Sequence, residues 1–452
     1  MLKSFYLSSA AFGLLTACAT VGPDYATPQT ALAVSFAGGG VDAGDVTQDA
    51  WWERLDDQQL NALIVRGLAQ NIDIATALQR IVTAEAGLRQ TGTAAQVSGG
   101  VDAQIQRAGG KNISTATAES ATFGASYILD LFGGARRGAQ QAAAGVEAAA
   151  FDAGTVRLAF LSGITSNYID ARYFQQALAL TRQNIESRRR TLSLVKSQVE
   201  FGVVSDLNLA QAQAQVDTAI AALPPLEAAF EASVFAIATL LAEPAQPLLT
   251  TMQKGAAQPY PGNDATAGVP ANLLRNRPDV RASERRFAAA VAGVGVAEAQ
   301  LYPSITLAGS ITAADASTWS FGPALSFPVL NQGSLRAGRD AAISTAATAQ
   351  LDWRAQVLTA VQDVQTAQSN LSRKRREIVA LRAVQVSNDR VLTLSRTSFD
   401  LGDLSLLDLL DAERAADASR TSLAAAVRDA AQFWTALMVA TGRGWVSPQP
   451  PV

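Results

Sequence analysis

Asp408 and Asp411 stand three residues apart in the run Leu406-Leu407-Asp408-Leu409-Leu410-Asp411, a spacing that puts both carboxylates on one face of a helix. Paired carboxylates attract cations or take part in hydrolysis, and the rest of the composition decides between these. The chain contains no histidine, which removes the commonest general base and metal ligand. Its single cysteine, Cys18, excludes an internal disulfide framework and any cysteine cluster for zinc. Hydrolysis by carboxylates alone remains, with no cleft to point to. The expectation is therefore no enzyme, no metal and no cofactor. A net charge of −3 offers no footprint for nucleic acid. Taken singly, the two aspartates read first as a solvated face favoured by the positive end of a helix dipole. A shared electrostatic role needs elements that bring several copies together.

The N-terminus carries a second candidate. Lys3 precedes an apolar stretch from Phe5 to Leu15, too short to span a bilayer and suited to a signal peptide. It ends in Leu15-Thr16-Ala17-Cys18, which resembles the bacterial lipobox, whose cysteine is acylated and becomes the first mature residue. Ala19 follows, not the aspartate that commonly retains lipoproteins in the inner membrane, so the resemblance implies an outer-membrane address. Each buried acyl methylene contributes about 0.8 kcal/mol, and two or more chains hold stably.

The elements that position these residues are written twice. Phe201-Gly202-Val203-Val204-Ser205-Asp206-Leu207 lies over Leu401-Gly402-Asp403-Leu404-Ser405-Leu406-Leu407 at an offset of about 200. Thr122-Phe123-Gly124 lies over Ser320-Phe321-Gly322, and Asn71-Ile72-Asp73-Ile74 loosely over Arg277-Pro278-Asp279-Val280. No proline occurs between Pro28 and Pro224 or between Pro328 and Pro448. Alanine-rich sequence favours helix, so Ala135 to about Glu200 and Ser334 to about Asp400 are predicted as helices roughly 100 Å long. Leu178, Ile185, Leu192 and Val199 recur every seven residues. So do Val357, Val364, Leu371 and Ile378, then Leu392 and Phe399, with Gln385 interrupting. That spacing marks helices packed as coiled coils. Gly202 and Gly402 stop the long helices, and Ser205 and Ser405 are natural N-caps for the returning ones.

Four segments alternate. Val101, Ala103 and Ile105 interleave with Asp102, Gln104 and Gln106, and Phe123, Ala125, Tyr127 and Leu129 with small or polar residues broken only by Ile128. Ile305 to Ile311 and Trp319 to Phe327 behave alike. One apolar and one polar face is what a membrane β-barrel strand requires. Four strands cannot close a barrel, and an open edge cannot sit in lipid. Several chains must contribute; this argument alone allows a dimer, a trimer or a larger ring.

Several runs resemble the outer-membrane efflux protein family that includes TolC, in particular its lipoprotein branch of OprM- and NodT-type outer-membrane factors. They are Val21-Gly22-Pro23-Asp24-Tyr25, Trp51-Trp52 with Asp56 and Leu60, and Arg277-Pro278-Asp279-Val280-Arg281-Ala282 with Glu284. Gly295-Val296-Ala297-Glu298-Ala299 and Tyr302-Pro303 complete the series, so the resemblance spans the chain in order. It implies a mainly α, α+β membrane protein: a homotrimer with a 12-stranded barrel, four strands per chain, continued by a long α-helical barrel inside a mixed girdle. It implies a passive export duct for drugs or other small molecules in a tripartite efflux system. The partners would be a periplasmic adaptor, an inner-membrane pump of RND type and outer-membrane lipid. Asp408 and Asp411 match the family's Asp-x-x-Asp at the closed aperture, where three copies bring six carboxylates towards one axis and draw cations. The family's latch partners have no secure counterpart. The tips, with Gly202, Ser205, Gly402 and Ser405, are candidates for adaptor docking. The Arg277 to Ala282 run reads as packing.

The expected layout is a signal peptide (1–17), an acylated segment wrapping the girdle (18–60), a first repeat (61–245; strands about 97–130, hairpin 135–242), a Pro/Gly-rich linker (246–270), a second repeat (271–442; strands about 303–329, hairpin 334–441) and a tail (443–452). Two other readings stay open: the outer-membrane duct of a type I protein secretion system, and a lipid-anchored coiled-coil scaffold without a pore. The exported substrate and the cognate pump are not written in the sequence.

Overall fold

The long proline-free runs expected to be helical are helical in the computed structural model, which describes residues 20–29, 31–262 and 268–446. The signal segment, Cys18 and residues 447–452 lie outside the described residues. After a 3-10 turn at Trp51–Leu55, α1 (Gln58–Gln70) and α2 (Ile72–Arg89) begin at Asp57 and Asn71. Those two side chains accept the amides of Leu60 and Ile74, each satisfying an orphan donor of its helix. Strands β1 (Val97–Gly110) and β2 (Ile113–Leu129) lead into α3 (Gly134–Glu200). The chain returns through α4 (Asp206–Ala221) and α5 (Leu223–Leu240), then forms α6 (Ala245–Met252), α7 (Pro270–Asn276) and α8 (Pro278–Ala299). Strands β3 (Ser304–Ala313) and β4 (Thr318–Ser326) precede α9 (Gln332–Asp400) and α10 (Leu406–Ala440).

Helices α3 and α9 have 67 and 69 residues, about 100 Å each at 1.5 Å per residue. The heptad of α9 is its buried seam: Val357, Val364, Leu371, Ile378, Leu392 and Phe399 are all buried, and Gln385 is half-buried. In α3, Leu178 and Ile185 are buried, but Leu192 and Val199 are only half-buried while Val195 is fully enclosed. The seam shifts there because Val195 faces a four-helix cluster with Ala212 of α4, Leu392 of α9 and Leu409 of α10.

The structure adds detail to the sequence reading at three places. The first hairpin's returning leg is interrupted at Ala222, itself right-handed helical, between α4 and α5. Pro224 and Pro225 occupy the first turn of α5, and their missing N–H groups and ring clashes end α4 at Ala221. The expected linker contains α6, because Leu248 and Met252, four apart, form an apolar stripe buried against Phe230 and Leu60 in the main core. Ser205 occupies an N-cap position without capping: its hydroxyl donates to Asn208 Oδ1 (2.8 Å) instead of accepting a backbone amide.

The main core knots the chain's distant parts together. Trp51 donates from Nε1 to the Arg443 carbonyl (3.1 Å) and meets Trp434 edge-on at 5.6 Å. Trp445 donates to the Asn276 carbonyl (2.7 Å). Arg277 bridges Asp279 (2.5 Å), Asp363 of α9 (3.0 Å) and the Ala440 carbonyl (3.2 Å), while Arg281 lies 4.0 Å over the Phe151 ring. The Arg-Pro-Asp run is thus a pin between the start of α8, α9 and the end of α10.

Candidate functional site

Both hairpin tips are built by one device. Gly202 (φ +69°) and Gly402 (φ +84°) take the left-handed conformation that a side chain resists. The amides of Gly202 and Val203 reach back to the Val199 and Gln198 carbonyls, and those of Gly402 and Asp403 to Phe399 and Ser398. This double bond pattern is a Schellman stop. It leaves Phe201 and Leu401 84% and 72% exposed at the two extremities.

Past the second tip, Ser405 accepts the Asp408 amide (3.2 Å) and donates to Asp408 Oδ2 (2.6 Å), so Asp408 helps to start α10. Leu406, Leu409 and Leu410 turn into the four-helix cluster. Asp408 and Asp411 are left on the exposed face of the same turns. Asp411 pairs with Arg414 at 2.8 Å.

One turn further, sequence reasoning missed a polar cluster. Glu413 is 2% exposed. Its Oε1 accepts from Ser187 (3.1 Å), Thr191 (3.2 Å) and Arg396 (3.2 Å), tying α10 to α3 and α9. Arg188 joins Asp417 (3.1 Å) to the Gln215 carbonyl (2.9 Å). Burial pushes the Asp417 carboxyl above its usual range, against the pull of Arg188. The available signal was a glutamate falling on the seam line of Leu406, Leu409 and Ala416.

At the opposite end the four strands form one antiparallel sheet in the order β1-β2-β3-β4. Its register puts Val101, Phe123, Ile311 and Trp319 in one row and Val97, Tyr127 and Leu307 in another. All stand on one face, where Trp319 and Phe321 are 79% and 73% exposed. The other face carries hydroxyl pairs: Ser98 with Ser126 (2.7 Å), Thr122 with Thr312 (2.9 Å) and Ser310 with Ser320 (2.9 Å). Apolar rows run along β2 from Leu129 to Ala121. Eight steps of about 3.4 Å on strands tilted about 40° give a belt about 21 Å tall, near the apolar band of a membrane barrel. The outer edges of β1 and β4 pair with nothing in the sheet.

Between sheet and helices lies an N-terminal strap. Val21 donates its amide to the Phe132 carbonyl (3.1 Å). The nearly buried Arg137 holds Asp24 (2.8 Å) and the Val21 and Gly22 carbonyls (3.1 Å each). Gly22 (φ +83°) passes so close to Gly295 that a Cβ would sit 2.4 Å from its Cα. Tyr25 donates to Glu284 (2.6 Å), and burial with this bond pushes its phenol up to about 12. Thr20 rests against Gly133, four residues past the end of β2.

The sequence matches the outer membrane efflux protein family over residues 63–243 and 269–443. It is 38% identical to nodulation protein T of Rhizobium leguminosarum bv. trifolii, covering 96% of each chain. It is 28% identical to the pyoverdine export outer membrane protein OpmQ of Pseudomonas aeruginosa, covering 96% of this chain and 97% of that one. The fold superposes on the outer-membrane channel OprN with a TM-score of 0.86 at 28% identity, over 94% of this chain and 99% of that one.

Proposed function

From a chain that belongs to the outer membrane efflux protein family, and so serves as an export channel of the outer membrane, we infer a passive duct with no catalytic step of its own. Three copies close a 12-stranded barrel and continue it as a helical tunnel. The observation that carries this reading is the sheet: an apolar belt of membrane height over two unpaired edges. Neither edge can face lipid, because an unsatisfied backbone group there costs several kcal/mol. Copies of β1 and β4 satisfy each other. The test is the protein purified in mild detergent: trimers that form steady pores in planar bilayers support the reading, and a monodisperse, non-conducting monomer overturns it.

The cargo we propose is small molecules, in keeping with a relative named for pyoverdine export. Energy has to come from elsewhere, since no nucleotide-binding motif occurs in the chain. An inner-membrane pump, of RND type in this proposal, and a periplasmic adaptor supply it. The adaptor docks on the tips shaped by Gly202, Ser205, Gly402 and Ser405, whose exposed Phe201 and Leu401 offer apolar contact. Asp408 and Asp411 narrow the closed periplasmic mouth and bias it towards cations.

Cys18 carries the lipid in this proposal. The strap supports it, because it holds Thr20 at the foot of the sheet, within reach of the inner leaflet. Cys18→Ser should abolish radiolabelled palmitate incorporation while trimers still form. Continued labelling of that variant would refute the assignment.

A further inference from the structure

We propose that Asp102 sets the charge preference of the membrane barrel, as a ring of three carboxylates at the exit. The inference rests on the trimeric duct proposed above. The four strands contain only three fully charged side chains: Asp102 and Arg107 on β1 and Glu119 on β2. Their faces follow from the register. Glu119 pairs with Ile105 and Arg107 with Thr117, in line with the Val101–Phe123 row and therefore on the apolar, outward face. Asp102 pairs with Thr122, whose hydroxyl meets Thr312 on the opposite face. That face is otherwise lined by serine, threonine, glutamine, alanine and glycine, apart from Ile128 near the foot of β2. Asp102 is exposed and forms no ion pair among the described residues.

Once the sheet closes, the belt faces lipid and the hydroxyl face lines the lumen. Threefold symmetry then places three Asp102 carboxylates at one height, on a wall with no fixed cation. Twelve strands about 4.8 Å apart and tilted about 40° give a barrel radius of about 12 Å. The carboxylates stand about 9 Å from the axis, comparable to the Debye length of about 10 Å at 0.1 M salt. The ring therefore biases permeation without blocking it, and the bias fades as salt rises. The periplasmic mouth masks it in the parent protein, being narrower and in series.

The experiment uses the full-length trimer with Asp408→Ala and Asp411→Ala, so that the barrel contributes measurably to selectivity. Reversal potentials are read across a salt gradient in planar bilayers. Adding Asp102→Asn should lower the cation-to-anion permeability ratio about three-fold near 0.1 M salt and hardly at all near 1 M. Adding Glu119→Gln, the same charge change on the outward face, should leave the ratio as it was. Asp102→Cys guards against a folding defect: it should lose the preference and regain it when a sulfonate-bearing methanethiosulfonate reagent restores a negative charge. An unchanged ratio in conducting Asp102→Asn channels overturns the inference alone, as does an equal shift in Glu119→Gln. A parent double variant that passes no current overturns the duct and this inference together.

Discussion

Replacing Asp408 and Asp411 together by alanine should raise single-channel conductance several-fold and weaken cation preference. In the proposed trimer the pair becomes six carboxylates around one narrow mouth. Two unit charges about 6 Å apart in water interact by roughly 0.7 kcal/mol, and several such interactions add at a constriction where screening water is scarce. Every 1.4 kcal/mol is a factor of ten in a rate, so removing this field and the side chains that occlude the mouth has a large effect. The alanine variant has a second consequence: Ser405 still caps the amide of residue 408, but its hydroxyl loses the Asp408 carboxylate that accepts from it. That hydrogen bond is worth about 1 kcal/mol, and a loosened tip also leaks. Asp408→Asn with Asp411→Asn separates the two effects: it keeps a polar partner for Ser405 while removing the charge. The amide variant should lose cation preference with a smaller rise in conductance. Currents and selectivity indistinguishable from the parent in both variants would sink the assignment of these two residues.

The largest stability effect is expected at Trp51. It is fully buried, packs on Trp434 and donates to the Arg443 carbonyl. Truncating a buried aromatic costs about 3–5 kcal/mol, and the orphaned carbonyl adds about 1 kcal/mol or more. The position matters because the same knot holds the N-terminal segment, the start of α8 and the end of α10. Trp51→Ala should therefore melt the purified trimer many degrees lower, followed by circular dichroism or by loss of the trimer band on heating. Phe201→Ala is the matched control, an exposed aromatic whose removal should leave the melt within a degree or two. Equal melting of the two variants would show that the knot is not what holds the girdle.

How much of this was legible beforehand differs by element. The long helices were, since a lack of proline and a strict heptad are local properties. Val357 through Phe399 on α9 are buried where the spacing puts them. The strands were as well, because a period of two fixes the faces, and the register pairs Phe123 with Ile311 and Ile311 with Trp319. The seam shift to Val195 was not, because it depends on where a fourth helix joins. Nor was the missing cap at Ser205: the residue type allows a cap, and only the neighbouring Asn208 decides otherwise. Glu413 stood in plain view on a seam line. Its partners Ser187 and Arg396 lie on two other helices, which no local sequence pattern brings together. For Asp408 and Asp411, the spacing gave their common exposed face, and the axis proposed for them would be a property of the assembly.

The two hairpins share the same glycine stop and following serine at their tips and differ in their return legs. The first is jointed at Leu223-Pro224-Pro225 after a 16-residue return helix, about 24 Å from its end. The second returns along 35 unbroken residues. Only Ala222, itself right-handed helical, separates the two parts of the first leg. Prolines remove helix hydrogen bonds and favour a kink, so a push at the tips is expected to bend the first leg near its prolines and to leave the second straight down to the tryptophan knot.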